Sequence, residues 1–171
     1  VAQTIKSLPG VESVSRNGLP PFGGNTNITI MDIQGIGEGV QFRMIAADSL
    51  YFEQLGVKLL AGRMLDESRA LDHVSAEEER DDTAPLNYVV NQSAMRLLGF
   101  TNPDEIVGHT FIETNTSDDE TTTAERHIVG VVPDLRLGLP TEELRPTLYW
   151  IGERRLSSLT VLYREGAAID V

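Results

Sequence analysis

The sequence predicts an α+β fold, rich in strands and poor in helix. Its longest apolar runs, Met44–Ala47, Val57–Ala61 and Ile128–Val132, are strand-sized. Helical spacing occurs only in short stretches that glycine or proline soon ends. Strands and helices also fail to alternate regularly, as a doubly wound sheet would require.

In chain order, Val1–Ser7 reads as a short helix stopped by Pro9 and Gly10. Val11–Arg16 is a strand, and Asn17–Asn25 (NGLPPFGGN) is a loop. Asn27–Gln34 and Val40–Ala47 form a hairpin around the turn Gly35–Gly39 (GIGEG), with Val40, Phe42, Met44 and Ala46 alternating with polar neighbours. Asp48 caps a helix that Gly56 ends. VKLLAGRML is strand-like and turns at Gly62, and Asp66–Asp82 is a charged, solvated insertion.

Leu86–Val90 reads as a buried strand, Asn91 as the cap of the helix Gln92–Leu98, and Gly99 as its stop. Asn102, Pro103, Asp104, Glu105 and Gly108 spell out a very short helix. Strands follow at Thr110–Thr114, Arg126–Val132, Pro146–Ile151 and Leu156–Arg164. NTSDDETTTAE (Asn115–Glu125) is a polar hairpin tip or loop, and Pro133–Pro140 a loop.

The chain has 171 residues, enough for one core or two small lobes. Its net charge of −12 disfavours nucleic acid and anionic lipid surfaces as partners. The lack of cysteine removes disulfides, thiolate metal sites and cysteine nucleophiles together. No run approaches the ~20 apolar residues of a membrane span. The opening starts in mid-helix pattern and the end stops where a helix can begin, so both ends read as cut from a longer chain.

The sequence singles out no catalytic, cofactor-binding or metal-ligating residue. His73, His109 and His127 lack a second histidine at helical spacing. The acidic runs Glu77–Asp82 and Asp118–Glu120 lack the alternating ligands and glycine of a calcium loop. GIGEG joins two strands and leads into no helix, so it cradles no phosphate. No G-x-S-x-G elbow occurs. Asn91 sits at a strand–helix corner, a place where catalytic residues are often presented, but its neighbours supply no nucleophile, base or metal partner.

Five segments in order resemble one family: LPGVESVS (Leu8–Ser15), DSLYFEQLGVKLLAGRML (Asp48–Leu65), YVVNQSAMRLLGFTNPDEIVGHTF (Tyr88–Phe111), HIVGVVPDLRLGLPTEELRPTLY (His127–Tyr149) and LSSLTVLYREG (Leu156–Gly166). They resemble the MacB-like periplasmic core domain of FtsX-type ABC transporter permeases, across nearly the whole chain. The acidic stretch between Leu65 and Tyr88 departs from the pattern as a loop insertion.

The resemblance implies two lobes. A porter-like α/β lobe would comprise residues 1–47 and 155–171, with its C-terminal helix and strand missing. A mixed, strand-rich lobe would be inserted at residues 48–154, carrying the acidic loop 66–82. It also implies a noncatalytic domain on the extracytoplasmic (periplasmic) face of the membrane, anchored by helices outside this chain. Such a domain relays ATP-driven conformational change from a cognate ABC ATPase, beside a second permease copy. A periplasmic adaptor or export substrate is the further partner implied.

Two rival readings remain open. One is a ligand- or lipoprotein-capture module of the same permease type, with Asn17–Asn25 and Pro133–Pro140 lining a groove between lobes. The other is a hydrolase using the acidic residues of Asp66–Asp82.

Overall fold

The computed structural model describes residues 2–19, 27–77, 83–117, 120–136 and 143–166. The helices are α1 (Ala2–Lys6), α2 (Ser49–Gln54), α3 (Gln92–Leu97) and α4 (Pro103–Ile106), and all are short. The strands are β1 (Val11–Asn17), β2 (Ile28–Ile33), β3 (Gly37–Ala46), β4 (Ala61–Gly62), β5 (His73–Val74), β6 (Leu86–Asn91), β7 (Thr110–Ser117), β8 (Glu120–Val132), β9 (Thr147–Gly152) and β10 (Ser158–Tyr163). A 3₁₀ turn at Glu153–Arg155 joins the last two. The α+β reading therefore stands.

β1 and β10 pair antiparallel as a separate two-stranded ribbon. The other strands form a sheet in the order β3-β2-β7-β8-β6-β9-β5, with β4 on β8. β9 also runs parallel to β3, with Met44 opposite Leu148 and Ala46 opposite Trp150. That pairing closes β3-β2-β7-β8-β6-β9 into a six-stranded ring, a small barrel. Barrel closure is invisible in hydrophobic periodicity, because it depends on which distant strands meet.

Alternation along the strands divides the apolar residues between two cores. Met31, Ile33, Phe42, Tyr88, Ile128 and Leu148 make one, completed by Ala94, Met95 and Leu98 around α3 and Ile106 of α4. A void of about 20 Å³ remains among Met31, Phe42, Tyr88 and Leu148. Ile45, Val89, Val132, Tyr149 and Ile151 make the other, covered by Tyr51 and Phe52 of α2. Phe52 meets Tyr149 edge-to-face at 4.9 Å.

A bulge sets which residue goes where. The β6–β8 register slips so that Tyr88 faces Ile128 and Val89 faces Gly130. Ile128 and Val131 consequently share the first core, while Val129 and Val132 serve the second.

Several sequence expectations are corrected. VKLLAGRML yields only Ala61–Gly62 as strand, because Leu60 and Arg63 bond briefly to β8 at Val131 and Val129 before the chain departs. The polar segment after Thr114 continues as β7 and β8, since ladder hydrogen bonds, not apolar side chains, hold that hairpin together. The acidic run is not uniformly solvated: Asp72 is fully buried and His73–Val74 pair with Ile151–Gly152. The hairpin β2–β3 pairs with β7 through β2 and with β9 through β3.

Tyr51 is fully buried, yet its hydroxyl finds no hydrogen-bond partner among the described residues, and burial pushes its pKa up to about 12. Tyr51→Phe is therefore expected to leave stability unchanged or raise it by about 1 kcal/mol, because it removes a stranded polar group. Chemical denaturation of the two proteins measures this.

Candidate functional site: the corner at Asn91 and the joint between ribbon and barrel

Asn91 ends β6 and is buried. Its side-chain carbonyl accepts from the Ala94 amide at 2.9 Å, capping α3 as the sequence indicates. The same oxygen accepts from the Thr147 amide at 2.8 Å, and the side-chain amide donates to the Arg145 carbonyl at 2.8 Å. Asp134 caps beside it: its carboxylate accepts from the Ser93 amide at 2.8 Å and the Ser93 hydroxyl at 2.9 Å. Arg96 of the same helix lies 3.5 Å from that carboxylate.

The corner thus fastens α3 to the start of β9 and to the end of β8. Nothing about Asn91 in the local sequence shows the bonds to Arg145 and Thr147, over fifty residues away. Asn91→Ala removes a cap and strands two backbone groups in the interior, so a loss of about 2–4 kcal/mol is expected in equilibrium unfolding.

The second site joins ribbon to barrel. Gly18 donates to the Ala46 carbonyl at 2.7 Å and Asp48 to the Arg16 carbonyl at 3.0 Å, flanking the pair Asn17–Ala47. The Asp48 carboxylate accepts from the Arg16 amide at 2.6 Å and caps α2 through Leu50 at 3.2 Å. Burial raises its pKa, and the amide hydrogen bonds from Arg16 and Leu50 oppose the rise. Gln54 then spans two serines of β1, donating to Ser13 and accepting from Ser15, each at 2.7 Å. Asn17 reaches across the ribbon to Thr160 at 2.8 Å. Asp48 as an N-cap was legible in the sequence; its second bond, to β1, was not.

The histidines are not brought into one cluster. His73 lies in β5, the His109 ring lies tilted against Phe100 with centroids 4.6 Å apart, and the His127 ring shares a 2.7 Å hydrogen bond with Thr110. No group of three or more metal-ligating side chains occurs among the described residues. Of the acidic runs, residues 78–82 and 118–119 lie outside the described residues, as do 20–25 and 137–140 of the two loops expected to line a groove. Among the described residues no helix is long and apolar enough to cross a membrane.

No protein-family model matches the sequence, and no curated protein matches it. Solved structures do match in fold. A domain assigned to a permease protein from Porphyromonas gingivalis is 19% identical with TM-score 0.60, over 98% of this chain and 69% of that one. The periplasmic region of MacB from Actinobacillus actinomycetemcomitans is 18% identical with TM-score 0.54, over 98% of this chain and 64% of that one. The extracellular domain of the noncanonical ABC-type transporter YknZ from Gram-positive bacteria is 14% identical with TM-score 0.53, over 96% and 72%. This chain spans about two thirds of the length of each. Over nearly all its length, the chain has the fold of extracytoplasmic domains of MacB-type ABC transporter permeases.

Proposed function

We propose that this chain is a noncatalytic extracytoplasmic domain of an ABC transporter permease. It sits on the outer face of the membrane, anchored by helices outside this sequence. It relays movement driven by a partner ATPase to a second permease copy, an adaptor or an export substrate. The observation that carries this reading is the ribbon. Antiparallel pairing of Val11–Asn17 with Ser158–Tyr163 sets the first and last strands side by side. Two membrane segments that move against each other would pull on this one element. The joint at Asn17–Ala47 passes that displacement to the barrel.

A two-stranded ribbon is marginal by itself and depends on what it docks against. Gln54 and Asp48 supply that docking with hydrogen bonds, which exchange more readily than a packed apolar seam. On this reading the lobe division follows the two sheets: the ribbon forms one part and the barrel the other.

The chain contains no cysteine, so a pair introduced at Asn17 and Ala47 has no competitor within this domain. The two residues face each other between flanking backbone hydrogen bonds, where antiparallel Cα atoms approach to ~4.5 Å, within disulfide range. In the full-length permease with its ATPase, oxidation of Asn17→Cys/Ala47→Cys should abolish transport and reduction should restore it. Undiminished transport by the locked protein, or ATP hydrolysis by the isolated chain, would overturn the reading.

A further inference from the structure

α3 leaves the barrel at the Asn91 end of β6; at the opposite end β3 and β9 finish side by side with Ala46 opposite Trp150. A groove of about 230 Å³ opens between β2, β3, β9 and the 3₁₀ turn. Met44, half-buried against the first core, and Trp150 supply its apolar wall, Ile28 a rim, and Asn27 and Thr29 its polar atoms. Small residues make the room: Ala46 ends β3, and a side chain at Gly18 would meet the Arg155 carbonyl at 2.7 Å. Mouths of small barrels are recurrent ligand sites.

Charge narrows the choice of ligand. The protein carries −12 overall, and an anion is repelled from most of its surface. Arg155 lines this groove, is exposed, and forms no ion pair with any described residue. Arg155 and Trp150 both line the groove, and an arginine and an indole in one site suit a molecule with a flat apolar body and an acidic head. The volume lies below the usual range for drug-sized ligands, so the occupant is small.

We propose that this barrel mouth binds a small amphipathic organic anion, its apolar body on Trp150 and Met44 and its acidic group on Arg155. The proposal is independent of the permease reading, and its test uses the chain alone.

Trp150 is the only tryptophan, so its emission reports on this groove directly. Titration with anilinonaphthalene sulfonate should show saturable energy transfer from Trp150, with a dissociation constant of roughly 10–100 µM. Arg155→Gln and Ile28→Glu each change an exposed side chain and should weaken binding about three- to fivefold, an effect that added salt erases. Leu97→Glu, exposed on α3 at the other end of the barrel, should bind as the parent does. The uncharged analogue N-phenylnaphthylamine should bind Arg155→Gln and the parent alike.

Amide chemical shifts of the unmodified chain provide a readout that needs no variant: Thr29, Met44, Ala46 and Trp150 should move together on titration. Absent saturation, shifts mapping elsewhere, or equal anion binding by the parent and both rim variants would overturn the proposal.

Discussion

Replacing Gly130 with alanine is expected to lower the unfolding midpoint by about 10 °C, a loss of roughly 3 kcal/mol or more for a chain of this size. Gly130 sits at the β6–β8 bulge, opposite Gly62 of β4. A Cβ on Gly130 would lie 2.1 Å from the Arg63 carbonyl oxygen, and one on Gly62 would lie 2.2 Å from that of Val129. Those obstacles are backbone atoms, so no rotamer change relieves them. Moving β4 away would break the bonds from Leu60 and Arg63 to β8. Gly62 carries the further strain of φ +76°, a left-handed conformation that glycine adopts freely. Gly62→Ala should therefore be destabilising as well. Gly99, also at positive φ but open to space, should cost only the ~1 kcal/mol of a lost left-handed cap. Thermal unfolding of the three variants, side by side, separates close approach from backbone conformation. Equal midpoints for Gly130→Ala and the parent would refute the crossing.

Asp72→Ala is the second large effect expected, about 3–5 kcal/mol. The Asp72 carboxylate is fully buried. It accepts from both terminal nitrogens of Arg63, from the Asn87 side-chain amide at 2.5 Å and from the Asp66 amide at 2.9 Å. Removing it leaves a part-buried guanidinium and a buried amide without their acceptor. Replacing Arg63, Asp72 and Asn87 together with apolar residues of similar size should cost much less than Asp72→Ala alone, because no polar group is then stranded.

The same carboxylate carries a pH signature. Burial alone would raise its pKa, but the hydrogen bonds from Arg63, Asn87 and Asp66 outweigh burial and hold it below the ordinary carboxylate value. The folded pKa thus lies under the unfolded one. The stabilisation is complete above the unfolded value of about 4 and is lost as pH falls through the folded value. The gap in stability between parent and Asp72→Ala should consequently be constant near neutrality and narrow below about pH 4. A gap independent of pH down to 2 would show that the bonds do not depend on ionisation.

Local chemistry was readable where a signal and its consequence lie within a few residues. The caps at Asp48, Asn91 and Asn102 form where the sequence places them, and the turn between β2 and β3 closes tighter than expected, at residues 34–36, with Gly37–Gly39 already in β3. Each rests on one side chain or glycine meeting its own neighbourhood. The short β4 strand, the buried Asp72 inside a charged run and the extended β7–β8 hairpin were not readable. Each is decided by a partner far along the chain: β8 for β4, Arg63 and Asn87 for Asp72, and β2 and β6 for the hairpin's base.

The candidate sites divide the same way. The sequence marks Asn91 as a capped corner, and in the fold its side chain caps α3. Its reach to Arg145 and Thr147 belongs to the tertiary structure alone. So do the closure of the barrel through β3 and β9 and the open mouth at Trp150. By itself the sequence determined the class of fold, most element positions and their caps, because propensity, alternation and capping act over one or two turns of chain. Only the tertiary structure decided which strands meet and which polar groups are buried together. Those depend on packing between distant segments, where a one-residue bulge at Gly130 changes which valine faces which core.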